Sequence, residues 1–401
     1  MDLEFTAAEE KFRAEARGWL ADHVPPSPLP SLETAEGFAA HREWEGRLAA
    51  DRWSVVSWPE EYGGRGASLW QWLVFEEEYY AAGAPGRVSQ NGISLLAPTL
   101  FEHGTEEQRA RVLGPMARGE VIWAQAWSEP ESGSDLASLR SAAVRTDGGW
   151  LLRGQKTWSS RAAFADRAFG LFRSDPDAAR PHQGLSYLMF PLDAPGVTVR
   201  PIGRLDGKLA FAELFLDEVF VPDADVIGEP GQGWRIAMST AGKERGLTLR
   251  SPGRFSAAAE RLAALWREAP EGAGPALADR VADALIGARA YQLFTYAHAS
   301  RLTSGERSAP DGGKPGADGS GAESSLNKVF WSELDIALHE TALDLLGPYG
   351  ILADDADEAP SHGSWAEGYT FSLAGPIYAG TNEIQRDIIA ERLLGLPKGR
   401  R

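Results

Sequence analysis

Four stretches carry residue types and spacings suited to chemistry. "IWAQAWSEPESGSDLASLR" (122–140) places Trp127 and Ser128 ahead of Glu129-Pro130, which stops a strand, and then opens a polar loop at Gly133, Ser134 and Asp135. Such a loop offers hydroxyls and free backbone donors. "GQKTWSSRAAFAD" (154–166) sets Trp158 against two serines and then small residues. A flat aromatic beside paired hydroxyls suits a large planar cofactor with polar edges. "GPIYAGTNEIQR" (375–386) is a tight loop before a helix start, where Thr381 and Asn382 can cap and Glu383 begins the turn. That arrangement exposes backbone donors to a ligand. The fourth, "GQGWRIAMSTAGKERGLTLR" (231–250), reads as a helix. At about 100° per residue, Ile236, Ala237, Thr240, Ala241, Glu244 and Leu247 fall on one arc. Glu-Arg dipeptides usually form solvated pairs, but a carboxylate centred on an apolar arc is costly without a task or a partner.

The elements that hold these stretches follow from the texture of the chain. With 401 residues it exceeds one compact core. An apolar fraction of 43% and 14 tryptophans supply globular cores. Residues 1–121 read as helices: Phe12, Ala16, Trp19 and Leu20 recur at helical spacing, and Thr105 with Gln108 makes a capping box. Residues 122–231 carry short alternating runs, with "TDGGW" as a hairpin turn between two of them. This density of strands and turns predicts an antiparallel β-barrel or sandwich. Residues 232–401 return to helix, and "SAPDGGKPGADGSGAESS" (308–325) reads as a flexible surface loop. The fold class is therefore α+β: an N-terminal helical domain, a middle β-domain and a C-terminal helical bundle.

Composition narrows function. A formal charge of −17 argues against nucleic acid and against an anionic membrane surface. The chain has no cysteine, which removes disulfides and thiolate chemistry and fits a cytoplasmic address. The first helix is charged and amphipathic, unlike a signal peptide, and no run approaches the ~20 apolar residues of a membrane span.

Taken together the motifs resemble the acyl-CoA dehydrogenase family over nearly the whole chain. "WSEPESGSD" is similar to its T/S-E-P-x-x-G-S-D signature, and "GQKTWSSRAAFAD" to G-x-K-x-W-I-T-N-G-x-x-A-D. "AELFLDEVFVPDADVIGEPGQGW", "LLGPYG" and "IYAGTNEIQRDIIAERLLG" resemble its remaining signatures, in the right order. The resemblance implies a C-terminal four-helix bundle, FAD as cofactor and a homotetramer or a mixed two-chain tetramer. It implies that Trp127 and Ser128 lie against the flavin, and that Trp158 and Ser160 cover its other side and edge. Ser134 matches a contact to flavin pyrophosphate or to the pantetheine arm of the substrate. Thr381 and Glu383 match C-terminal flavin contacts, and Gly347 and Gly350 the loop that approaches FAD from a neighbouring subunit. Two departures stand out: Arg161 replaces the usual asparagine, and the R-x-x-F-G motif is not visible.

The reaction implied is α,β-dehydrogenation of an acyl thioester, carried on CoA or on a carrier protein, with electrons passed to electron-transfer flavoprotein or a similar acceptor. In most of the family the base is the glutamate of "IYEGT"; here Ala379 stands there, with Gly380 beside it to hold the substrate carbonyl through backbone donors. One branch of the family places the base on the first C-terminal helix before an arginine, as Glu244-Arg245 stands here. Glu244 is the expected base and Arg245 the charge that orients it. Three other readings remain: a subunit of a mixed two-chain enzyme, a flavin oxidase or monooxygenase on the same fold, and a colourless scaffold.

Overall fold

The structure, a computed structural model, describes residues 4–245, 251–268, 274–304, 320–354 and 356–398. They divide into two compact units. One comprises Met1–Val24, Ser68–Ala84 and Arg245–Arg401; the other Pro25–Ala67 and Pro85–Glu244.

The second unit is built on an eight-stranded sheet. Strands β1 (Trp123–Ala126), β2 (Ala142–Thr146), β3 (Gly149–Ser160), β4 (Arg167–Arg173), β5 (Leu185–Pro191), β6 (Val197–Ile202), β7 (Phe211–Pro222) and β8 (Val226–Ile227) run in the order β6-β7-β3-β2-β4-β5-β8, with β1 on β4. The expected hairpin is present: β2 pairs with β3, and Thr146 faces Gly149 across the turn. The sheet is not wholly antiparallel, because β1 and β2 both lie parallel to β4. The β2–β3 hairpin serves as the crossover that a parallel pairing requires, which alternation within single strands does not reveal. Inward positions such as Ala126, Leu152, Phe172, Phe190, Leu214 and Val221 form its core. Helices α2 (Ala35–Ala50), α4 (Ala97–His103), α5 (Glu106–Ala117) and α6 (Gly233–Arg245) complete the unit up to Glu244. The Thr105–Gln108 capping box opens α5. On α6, Ile236, Ala237, Thr240 and Ala241 are buried, and Thr240 meets Thr99 of α4 hydroxyl to hydroxyl at 2.7 Å.

The first unit is helical: α1 (Ala7–His23), α3 (Leu69–Ala81), α7 (Pro252–Glu268), α8 (Pro275–Ser304), α9 (Ser320–Leu346), α10 (Ser364–Ser372) and α11 (Asn382–Ile388). A Thr6–Glu9 capping box starts α1, which buries Phe12, Ala16 and Leu20 while Trp19 stays half-buried. Arg17 clasps Glu78 of α3 through two bonds of 2.8 Å. Phe255, Leu262, Tyr291, Trp331, Leu338 and Trp365 form the core. The expected loop at 308–325 is shorter than its composition suggests. Residues 308–319 lie outside the described residues, but Ser320 already begins α9. Glu323 in its first turn faces His298 at 2.9 Å and pairs with Arg301 at 3.3 Å, so tertiary contacts hold helix where Ser and Gly alone favour coil. Among the described residues no helix is long and apolar enough to cross a membrane.

Candidate active site

In the β-unit, the signature stretches at 122–140 and 154–166 are joined by one buried ammonium. Lys156 is fully buried on β3; its Nζ donates to Glu129 Oε1 at 2.8 Å, the Leu171 carbonyl at 2.7 Å and the Trp127 carbonyl at 3.3 Å. The Phe172 ring lies beneath it, 4.9 Å away. Glu129 in turn accepts from the Arg140 N–H at 2.6 Å and the Ser141 N–H at 2.9 Å. Burial pushes the lysine down to about 8, against the pull of Glu129. Burial alone would raise Glu129, but the Lys156 charge and the backbone donors hold it below the ordinary carboxylate value. Thr157 N–H also donates to the Ser128 carbonyl at 2.9 Å. Trp127 and Ser128 are thus fixed at the end of β1, half-buried, with the Trp127 indole N–H on the Tyr187 hydroxyl at 3.1 Å.

The β3–β7 register slips between Lys156 and Ser159. At this bulge Trp158 takes a left-handed φ of 59° and stands 60% exposed, its ring edge-on to Phe211. A bulge re-aims a side chain in this way, and a tryptophan held in that conformation stores strain that marks functional positions. Ser159 then points inward, buried, with no partner for its hydroxyl among the described residues, while Ser160 is half-buried at the strand end. Ser134 is exposed in a loop braced by Ser132 and Ser138, both bonded to the Asp135 carbonyl. Arg161 acquires an explanation. Its φ is 55°, a conformation that favours asparagine, and its guanidinium reaches the buried Glu33 at 3.0 Å.

In the helical unit, the 375–381 loop is held from beneath. Gln385, fully buried, donates to the carbonyls of Ala379 and Gly380 at 3.1 Å each. Both residues are left-handed, with φ of 56° and 79°. The Asn382 N–H closes on the Pro376 carbonyl at 2.8 Å, and the Asn382 amide oxygen accepts from the buried Lys328 at 2.7 Å. Thr381 caps α11 as expected. Glu383 is exposed in its first turn, its carboxyl held below the usual value by its own backbone N–H and the Thr381 hydroxyl. Gly347 has φ 54°; Gly350 is buried, and a Cβ there would lie 2.9 Å from the Leu343 carbonyl. The side chains of Glu244 and Arg245 lie outside the described residues. The sequence reading missed Glu129, Lys156, Glu33, Lys328 and Gln385. A lysine amid alternating strand residues was the available signal for the first pair; the others had none.

Comparison with known proteins identifies the family. Family models for the acyl-CoA dehydrogenase N-terminal, middle and C-terminal domains match residues 6–120, 124–219 and 231–394. Acyl-CoA dehydrogenase IpdE1 of Mycobacterium tuberculosis is 39% identical over 397 residues, covering 97% of this chain and 98% of that protein. Acyl-CoA dehydrogenase FadE26 of the same organism is 31% identical, with both chains covered fully. Among solved structures, the Tcur3481-Tcur3483 steroid ACAD aligns over both full chains with TM-score 0.83 and 28% identity. The ChsE4-ChsE5 complex from Mycobacterium tuberculosis does so with 0.82 and 29%. The chain belongs to the acyl-CoA dehydrogenase family. It is an oxidoreductase of acyl thioesters that uses a flavin.

Proposed function

We propose that the chain binds FAD and oxidises an acyl thioester, on CoA or a carrier protein, to the trans-2-enoyl thioester. The residues present suit a flavin: an outward tryptophan at Trp158, a half-buried hydroxyl at Ser160, and the half-buried pair Trp127–Ser128. Ser134, Gly347, Gly350, Thr381 and Glu383 would supply the remaining contacts. When bound, the cofactor accepts the hydride from the β carbon. The chain's own part is to take the α proton and to hold the carbonyl oxygen as enolate charge develops. Backbone donors of the Ala379–Gly380 loop suit the second task, since Gln385 and Asn382 keep that loop in one shape.

Glu244 takes the α proton in this reading, and Arg245 orients it. The observation that supports it is the register of α6: Ile236, Ala237, Thr240 and Ala241 are all buried, and Glu244 continues that series at helical spacing, while the Ala379 loop has no carboxylate. Glu244→Gln keeps shape and removes the basic oxygen. It should slow flavin reduction by about 10²–10⁴-fold in anaerobic stopped-flow with a working thioester. Bleaching at the native rate would refute the assignment.

A second reading, a subunit of a mixed two-chain enzyme, is favoured by the likeness to the Tcur3481-Tcur3483 steroid ACAD and the ChsE4-ChsE5 complex. Chain purified alone that is yellow and bleaches with acyl-CoA supports the single-chain enzyme, homotetrameric and served by electron-transfer flavoprotein or a similar acceptor. Colourless protein that gains flavin only with a second chain supports the mixed assembly.

A further inference from the structure

The ammonium of Lys156 meets a single carboxylate among the described residues. Glu129, in the loop after β1, lies 2.8 Å away and is the one charge that acts on it. The end of β1 offers the Trp127 carbonyl at 3.3 Å, and β4 the Leu171 carbonyl at 2.7 Å with the Phe172 ring beneath. On β7 the residue opposite in register is Leu214. Glu213 of β7 is taken by Gln155 and Arg200, and Arg173 of β4 by the carbonyls of Ala137, Leu139 and Pro181. Glu129 itself is not sealed. It is 8% exposed and lines a cavity of about 340 Å³ with Ser132, Ser138, Arg140, Ser141 and Gln155. Glu131 and Arg140, also on that cavity, pair at 3.5 Å with their side chains in solvent. A cavity this large and this polar admits water. A proton can therefore pass between Lys156 and solvent by way of the Glu129 carboxylate.

An ammonium has three protons to donate, and here each has an acceptor. A neutral amine has two, so one acceptor is left without a donor. The contact to the Trp127 carbonyl is the longest of the three and is released first. Burial favours that neutral form and brings the lysine down to about 8. We propose that Lys156 is a positioning residue for the Trp127–Ser128 segment, a clamp whose third bond is held only by the protonated amine; this rests on the flavin reading above. Protonated, it fixes the Trp127 carbonyl and with it the two side chains proposed to lie against the cofactor. Deprotonated, it keeps Glu129 and Leu171 and lets that segment move. The fold does not weaken in this step. Lys156 titrates lower in the folded chain than in the unfolded one. Between about pH 8 and the ordinary lysine value the unfolded chain holds a proton that the folded chain has lost, so this group favours the folded state more as pH rises. Alkaline release of flavin from a chain that stays folded is the signature of the clamp.

The test follows flavin release from the diluted holoprotein between pH 6.5 and 9.5, with circular dichroism in parallel. The release rate should rise by about tenfold, the scale of one hydrogen bond to a charged group, in a single step centred near pH 8, while the helix and strand signals hold. Glu129→Gln removes the one charge that favours the ammonium, so its step should fall at lower pH. Lys156→Met should release flavin fast at every pH, with no step. A second readout needs no cofactor: Trp127 emission, taken as the difference between the native chain and Trp127→Phe, should show the same step and the same shift in Glu129→Gln. A flat native profile, a step that survives in Lys156→Met, a midpoint unmoved in Glu129→Gln, or release that only accompanies unfolding overturns the proposal. Should Lys156→Met not fold, the native and Glu129→Gln midpoints decide it. A chain that carries no flavin at any pH sinks the flavin reading, and the emission step alone then upholds or overturns the clamp.

Discussion

Replacing Lys156 by Met tests whether one buried ion pair unites the two segments proposed to face the cofactor. The substitution keeps an unbranched side chain of similar length and removes three donated bonds: to Glu129, to the Leu171 carbonyl and to the Trp127 carbonyl. Breaking a buried pair by deleting one partner costs about 3–5 kcal/mol. Glu129 keeps the N–H donors of Arg140 and Ser141, which places the loss at the lower end, about 3 kcal/mol. The loss should depend on pH. In the native chain Glu129 titrates below its ordinary value, so its contribution is present above about pH 4.3 and is lost as pH falls through the folded value. Without Lys156 burial dominates and raises the Glu129 value, so the folded variant takes up a proton first and gains stability on acidification. The deficit should therefore be larger at pH 7.5 than at pH 5. Adding Glu129→Gln should recover about 1–2 kcal/mol, since a neutral amide tolerates the site better than a lone carboxylate. The assay is urea unfolding of the holoprotein followed by tryptophan fluorescence, with released flavin as a second probe. Flavin should leave before global unfolding, because Trp127 loses its anchor. A deficit under about 1 kcal/mol, or one that does not shrink at pH 5, would refute the reasoning.

Trp158→Ala and Ser160→Ala should weaken flavin retention in a dilution assay; full retention in both would dismiss the cofactor placement. Arg161→Asn suits the left-handed backbone but strands the buried Glu33, so it should cost about 2 kcal/mol, most of it returned by Glu33→Gln, as read from urea midpoints. Ala379→Gly should stabilise the helical unit by about 1 kcal/mol, because its φ of 56° penalises a Cβ; an unchanged thermal midpoint would count against that strain.

Much of this protein was legible as sequence because the relevant forces are local. Period-2 and helical apolar patterns marked the strands and helices, and Thr105 with Gln108 or Thr381 announced helix starts through hydrogen bonds spanning three residues. Motif order named the family. What needed tertiary structure was every contact between residues far apart in the chain. The parallel seating of β1 and β2 on β4 depends on a hairpin crossover. The helical start of α9 depends on His298 and Arg301 meeting Glu323. The pairs Lys156–Glu129, Arg161–Glu33 and Arg254–Asp335 span 27, 128 and 81 residues. Apart from Lys156, set amid alternating strand residues, each of those charges looks in sequence like any solvated surface residue. Burial makes each costly unless paired, and burial is a property of the assembled fold rather than of neighbouring letters.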